Sequence, residues 1–141
     1  MGLTDESRKD IVAYRIERAY TALDQAKKNV QIKCLEVTAN RLYYAAYYAV
    51  SALLIAYGIR TRSHEGNIGQ FGLNFVQKGV FPKEMGRFYN NLFTMRLTGD
   101  YDDRFNLTED DVLPKIELTE TFIEKVVNLT RDKMKEEEDG G

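Results

Sequence analysis

Between Leu42 and Tyr57 the chain reads LYYAAYYAVSALLIAY, sixteen residues without a charge, a proline or a glycine. A helix that is apolar or aromatic almost all round must be buried on nearly every side. The run falls short of the roughly 20 residues needed to cross a bilayer, and it carries tyrosines and a serine, so it predicts the central helix of a bundle rather than a membrane span. Leu35, Leu42, Ala49 and Ala56 repeat every seven residues, and Ala39, Ala45, Ala46, Ala52 and Leu53 widen the same face. Gly58 suits a left-handed cap at its end.

Four more helices are needed to cover that face, and the periodicity supplies them. Val12, Ile16, Ala19, Leu23, Ala26 and Val30 recur at spacings of four and three, which marks one stripe of a long helix from about Asp5 to Val30. Ser63 reads as the N-cap of a third helix with Glu65 in its first turn, an inward stripe of Ile68, Phe71, Phe75 and Val76, and a stop at Gly79. Gly66, Gly69 and Gly72 lie three apart on one side of it, where bare backbone predicts close approach of a neighbour. Pro82 fits the first turn of a fourth helix carrying Met85, Phe88, Leu92 and Met95, with an end expected near Gly99. Thr108 and Asp111 then resemble a capping box that opens a fifth helix. Its two adjacent stripes are Ile116, Ile123, Val127 and Met134, and Leu118, Phe122 and Leu129.

No alternating run is long enough to propose a strand. The expected fold is all-α, an antiparallel up-down bundle of about five helices, since helices joined by short connections must be neighbours. With 141 residues and a 43% apolar fraction, one domain over 1–141 can fold without staples, its charged end, KEEEDGG, frayed from about residue 135. Cys34 is the single cysteine and His64 the single histidine, so neither a disulfide framework nor a zinc pattern is expected. Asp100, Asp102 and Asp103 lack the ligand spacing of a calcium loop, and no metal or cofactor is implied. A net charge of −2 argues against bulk coating of nucleic acid while leaving room for a local basic patch. The polar stretch Met1 to Asp10 has no apolar signal region, which makes the cytoplasm the expected location.

Three pieces of sequence stand out together: NRLYYAAYYAVSALL opening the central helix, GIRTRSHEGNIGQFGLNFVQKG across the next connection, and MRLTGDYDD at the end of the fourth helix. In this order and at this spacing they resemble the HEPN superfamily, in particular its small stand-alone prokaryotic members. Asn40, Arg41, Tyr43 and Tyr44 match the signature of helix two, Ser63, His64 and Gly66 the start of helix three, and Arg96, Asp100 and Tyr101 the end of helix four. The resemblance implies an all-α bundle that pairs as a homodimer, binds nucleotides or RNA, and works beside a small nucleotidyltransferase in a toxin–antitoxin-like pair. One subset of the superfamily consists of metal-independent endoribonucleases with an Arg, four to six intervening residues and a His on one helix. Here His64 lies too close to Arg60 and Arg62 to satisfy that spacing, so a binding module is expected ahead of an enzyme.

The residues leave three functional classes open. Metal-free RNA cleavage needs a base near neutral pKa and a cation for the phosphorane-like transition state, which His64 with Arg60 or Arg62 would supply. At the first position of a helix the dipole disfavours the imidazolium, so His64 is expected to be neutral. Binding asks less: Arg60, Arg62, Ser63 and His64 frame a helix N-terminus suited to phosphate. Arg41, Tyr44, Arg96 and Tyr101 could line a nucleotide-sized cleft, with tyrosine faces for stacking. Alternatively Arg41 and Arg96 pair with Asp100, Asp102 and Asp103 in a structural network. A ligand-free adaptor is the third class. Tyr43, Tyr44, Tyr47, Tyr48 and Tyr57 occupy more than one side of the central helix, which predicts that some of them meet a second copy of the chain.

Overall fold

A computed structural model describes residues 4–101 and 107–139, of which 99–101 and 139 by backbone alone. It contains α1 (Asp5–Gln31), α2 (Leu35–Ala56), α3 (His64–Phe71), α4 (Lys83–Tyr101) and α5 (Glu109–Asp139), with no strand among the described residues. The fold is all-α, as the periodicity predicts. The helix begun by α3 continues into one π-helical stretch, Gly72–Val76, in which Gln77 N–H donates to the Gly72 carbonyl at 2.8 Å, one residue further back than in an α-helix.

α2 is the central helix and touches α1, α3, α4 and α5. Leu42, Tyr43, Val50, Leu53 and Leu54 on it are buried against Phe71, Tyr89, Leu92, Ile123, Val126 and Val127. Each such side chain contributes about 1.5–3 kcal/mol by leaving water. The directions follow from side-chain pairs. Arg18 meets Tyr48 and Arg41 meets Gln25, both at 3.1 Å, so α2 runs antiparallel to α1. Lys27 pairs with Glu120 at 3.0 Å and Arg8 with Glu137 at 3.3 Å, so α5 is also antiparallel to α1.

The helix ends follow local chemistry. The Thr4 hydroxyl accepts from Ser7 N–H at 3.1 Å to start α1. Between α1 and α2 the chain turns through Lys33 at φ 60°, a left-handed conformation with no glycine to relieve it. Gly58 takes φ +74°, the cap expected after α2. Thr108 and Asp111 form the expected box: Thr108 N–H donates to Asp111 Oδ2 at 2.9 Å and Asp111 N–H returns to Thr108 Oγ1 at 3.3 Å. The Thr108 N–H and, at 2.9 Å, the Thr108 hydroxyl both donate to the Asp111 carboxylate and hold its pKa below the ordinary value.

α4 ends at Tyr101, two residues beyond Gly99 and so near the expected end. α5 runs to Asp139, and Glu137 and Glu138 near its end pair with Arg8 and Lys9 of α1, the latter at 2.7 Å. Two expectations are corrected. Leu118 is 52% exposed, while Val112, Thr119 and Val126 fill the inner face of α5. A side chain on Gly69 or Gly72 would meet open space and one on Gly66 the capping Ser63 Oγ, at 3.0 Å, so no neighbouring helix approaches that side; such an approach occurs at Gly86, where a Cβ would lie 3.3 Å from Val76 Cγ2. Among the described residues no helix is long and apolar enough to cross a membrane.

Candidate functional site

The residues that converge in the bundle come from three helices. On α2, Tyr43 and Tyr47 share one face and Tyr44 and Tyr48 the adjacent one, because side chains four apart stand one above the other. Tyr43 is fully buried; Tyr44, Tyr47 and Tyr48 are half-buried. His64 is the first residue of α3, and its position is set by Ser63, whose Oγ accepts from Gly66 N–H at 2.9 Å as the sequence predicts. Its ring is packed by Tyr47 at 4.8 Å, Tyr43 at 5.5 Å, Tyr44 at 5.7 Å and, from α4, Phe93 at 6.2 Å between centroids. Nδ1 of His64 and the Tyr43 hydroxyl share a hydrogen bond of 2.7 Å.

Behind this cluster lies a buried polar chain. Tyr89 stacks on Tyr43 at 6.0 Å and donates its hydroxyl to Asn67 Oδ1, and Asn67 Nδ2 donates to Ser51 Oγ at 3.2 Å. Asn67, Ser51 and Tyr89 are all buried, so each bond satisfies a group that would otherwise lose its water unpaid. The chain links α2, α3 and α4 where His64 is set, which fixes the imidazole relative to the tyrosines.

Arg96 of α4 supplies the charge. Its guanidinium lies over the rings of Tyr44 at 5.4 Å and Tyr43 at 5.5 Å, and near Phe93 at 6.0 Å. Burial lowers the pKa of His64, and the Arg96 charge lowers it further against a smaller opposing pull from Glu65. The imidazole is therefore neutral near pH 7, as expected, although burial and Arg96 are the causes here. Burial pushes the Tyr43 and Tyr89 hydroxyls well above the ordinary phenol value, so both remain protonated. A neutral imidazole, a half-buried tyrosine face and a guanidinium sit together, a set able to stack a planar ring, hold an anion and accept a proton.

The structure brings together Arg41, Tyr44, His64 and Arg96 from the residues singled out in the sequence. Arg41 lies over the Tyr44 ring at 5.1 Å and donates to the side-chain oxygens of Asn40 and Gln25. Ser63 acts as the cap. Arg60 and Arg62 line a separate cavity, to which Tyr47 also belongs; the guanidinium acting on His64 is that of Arg96. The side chains of Asp100 and Tyr101, and all of Asp102 and Asp103, lie outside the described residues. Tyr47, Phe93 and Asn67 were not singled out as site residues. The spacing of Tyr43 with Tyr47 was a usable signal for the first; nothing local marks the other two.

The family model described as HEPN domain matches residues 12–132 of the chain. A protein of Thermotoga maritima named UPF0332 protein is 38% identical over 89% of this chain and 95% of its own length. Two proteins of Methanocaldococcus jannaschii, each named as a candidate toxin, are also similar: one is 30% identical over 92% of this chain and 96% of its own length, the other 25% identical over 68% and 65%.

Proposed function

This chain belongs to the HEPN domain family, and we propose that the surface formed by Arg41, Tyr44, His64 and Arg96 binds a nucleotide or an RNA base. In this reading the module works as one half of a toxin–antitoxin-like pair with a small nucleotidyltransferase, and as a homodimer. The relatives named as candidate toxins support the pairing. The observation that carries the binding reading is Arg96 lying within 5.5 Å of two tyrosine rings that also pack against His64. A base would stack on the half-buried Tyr44 face, and a phosphate would be held by Arg96 or Arg41.

The test is fluorescence anisotropy with labelled single-stranded RNA and with mononucleotides. Tyr44→Ala and Arg96→Gln are each expected to weaken binding by roughly tenfold or more, since stacking on one base is worth about 1–3 kcal/mol. Unchanged affinity in both variants overturns the reading. The pairing is tested by whether a small nucleotidyltransferase is encoded beside this chain and co-purifies with it.

A second reading is favoured by the neutral state of His64 beside a cation. A metal-independent ribonuclease would use His64 as the base, with Arg96 in the place that the sequence assigned to Arg60 or Arg62. Cleavage of RNA in EDTA, abolished in a folded His64→Ala variant, would establish it, and persistent cleavage in that variant would sink it.

A further inference from the structure

The connection from α2 to α3 closes a cavity of about 530 Å³ against the first turns of α1, and four arginines line it: Arg8 and Arg15 from α1, Arg60 and Arg62 from the connection. Its volume lies within the range of pockets that take small ligands, roughly 300–1,000 Å³. Among the described residues no carboxylate lines it. In a chain whose net charge is −2, four guanidinium groups around one concavity are an uneven concentration of positive charge.

The four do not contribute equally. Arg8 is held by Asp5 at 3.0 Å and Glu137 at 3.3 Å, which offset its charge, and its Nε is buried with no hydrogen-bond partner. Arg15 lies over the Tyr48 ring at 5.7 Å, which fixes its direction without neutralising it. Arg62 is exposed at the rim. Ser51 and Thr61 add hydroxyls, and because Ser51 Oγ accepts from Asn67, its own proton remains to be donated. Leu54, Ile55 and Ile59 give the rest of the wall an apolar character.

We propose that this cavity is a second binding site, distinct from the Tyr44–His64–Arg96 surface, for a small molecule bearing a di- or triphosphate group. Several guanidinium groups around one space match a compact anion of high charge better than a single carboxylate, because each presents a planar fork of donors to phosphate oxygens. The apolar wall accommodates an organic body attached to the phosphate chain. The site is separate from the base-stacking surface and adjoins it at Tyr47.

Thermal unfolding at constant ionic strength with sodium tripolyphosphate, ATP or sulfate tests this, because a ligand that binds only the folded chain raises Tm by mass action. Tripolyphosphate is expected to raise Tm more than sulfate does, and Arg62→Gln and Arg15→Gln are each expected to weaken it by about tenfold in calorimetric titration. Arg96→Gln should leave that binding intact. In the Arg96→Gln variant, where the other surface is weakened, a larger effect of ATP than of tripolyphosphate identifies a nucleotide-like source, and an equal effect identifies recognition of the phosphate chain alone. No shift beyond sulfate overturns the proposal. So does a shift that Arg96→Gln removes and Arg62→Gln spares, since the anion would then sit at the other surface. Far-UV circular dichroism confirms that the exposed Arg62→Gln variant is folded.

Discussion

The Tyr43 hydroxyl and Nδ1 of His64 lie 2.7 Å apart, and this bond ties the first residue of α3 to the most buried helix of the bundle. Burial keeps the phenol protonated, and burial together with the Arg96 charge disfavours the imidazolium form of its partner.

Stability should therefore depend on pH through His64. Its folded pKa lies below the ordinary value of 6.5, so the native state binds fewer protons there than the unfolded chain. The stabilisation is complete above the unfolded pKa and is lost as pH falls through 6.5 toward the folded value. Urea denaturation of the wild type and His64→Gln between about pH 7.5 and pH 5 measures it. The variant should lose less stability over that interval; equal losses would exclude His64 as the source.

The imidazole of His64 is the protein's sole histidine signal in proton spectra, so its C2–H resonance can be titrated without assignment. In Arg96→Gln the midpoint should rise toward that of a free histidine, because a positive charge that opposes protonation has been removed. Arg62→Gln should leave it near the wild-type value. Equal shifts in both would contradict Arg96 as the acting cation.

Asn67→Ala should destabilise the chain by about 2 kcal/mol, because it strands the buried Tyr89 hydroxyl and removes the donor to Ser51. The loss appears as a lower midpoint in urea with little change in slope. A change below roughly 0.5 kcal/mol would mean that water replaces the amide.

Lys33→Gly should stabilise by about 0.5–1 kcal/mol, since φ 60° is costly for a lysine and free for glycine. A higher Tm is the expected result, and a lower one would show that this turn is not strained.

The centrality of α2 is legible in residues 42–57 because no exposed helix tolerates so few polar positions, and the caps at Ser63 and Thr108 are legible because a hydroxyl three residues ahead of a free N–H is local chemistry. Arg41, Tyr44, His64 and Arg96 could be singled out as residue types suited to an anion and a base. Their grouping could not be read in full. His64 has arginines nearby in sequence at positions 60 and 62, but the connection turns both into a different cavity and α4 brings Arg96 across the bundle instead. Asn67 was hidden for a related reason: a lone asparagine in a helix has no periodic signature, and its role exists only once Ser51 and Tyr89 are packed beside it.

The π-helical stretch Gly72–Val76 leaves the third helix one residue of slack. Removing a residue such as Asn74 would let that turn tighten to ordinary pitch, with Phe71 and Phe75 still reaching their seats. The same excision in α2 would swing every downstream side chain by about 100° and turn the molecule's interior outward. Tolerance to shortening is thus concentrated in a few ångströms beside the loop that leads to α4.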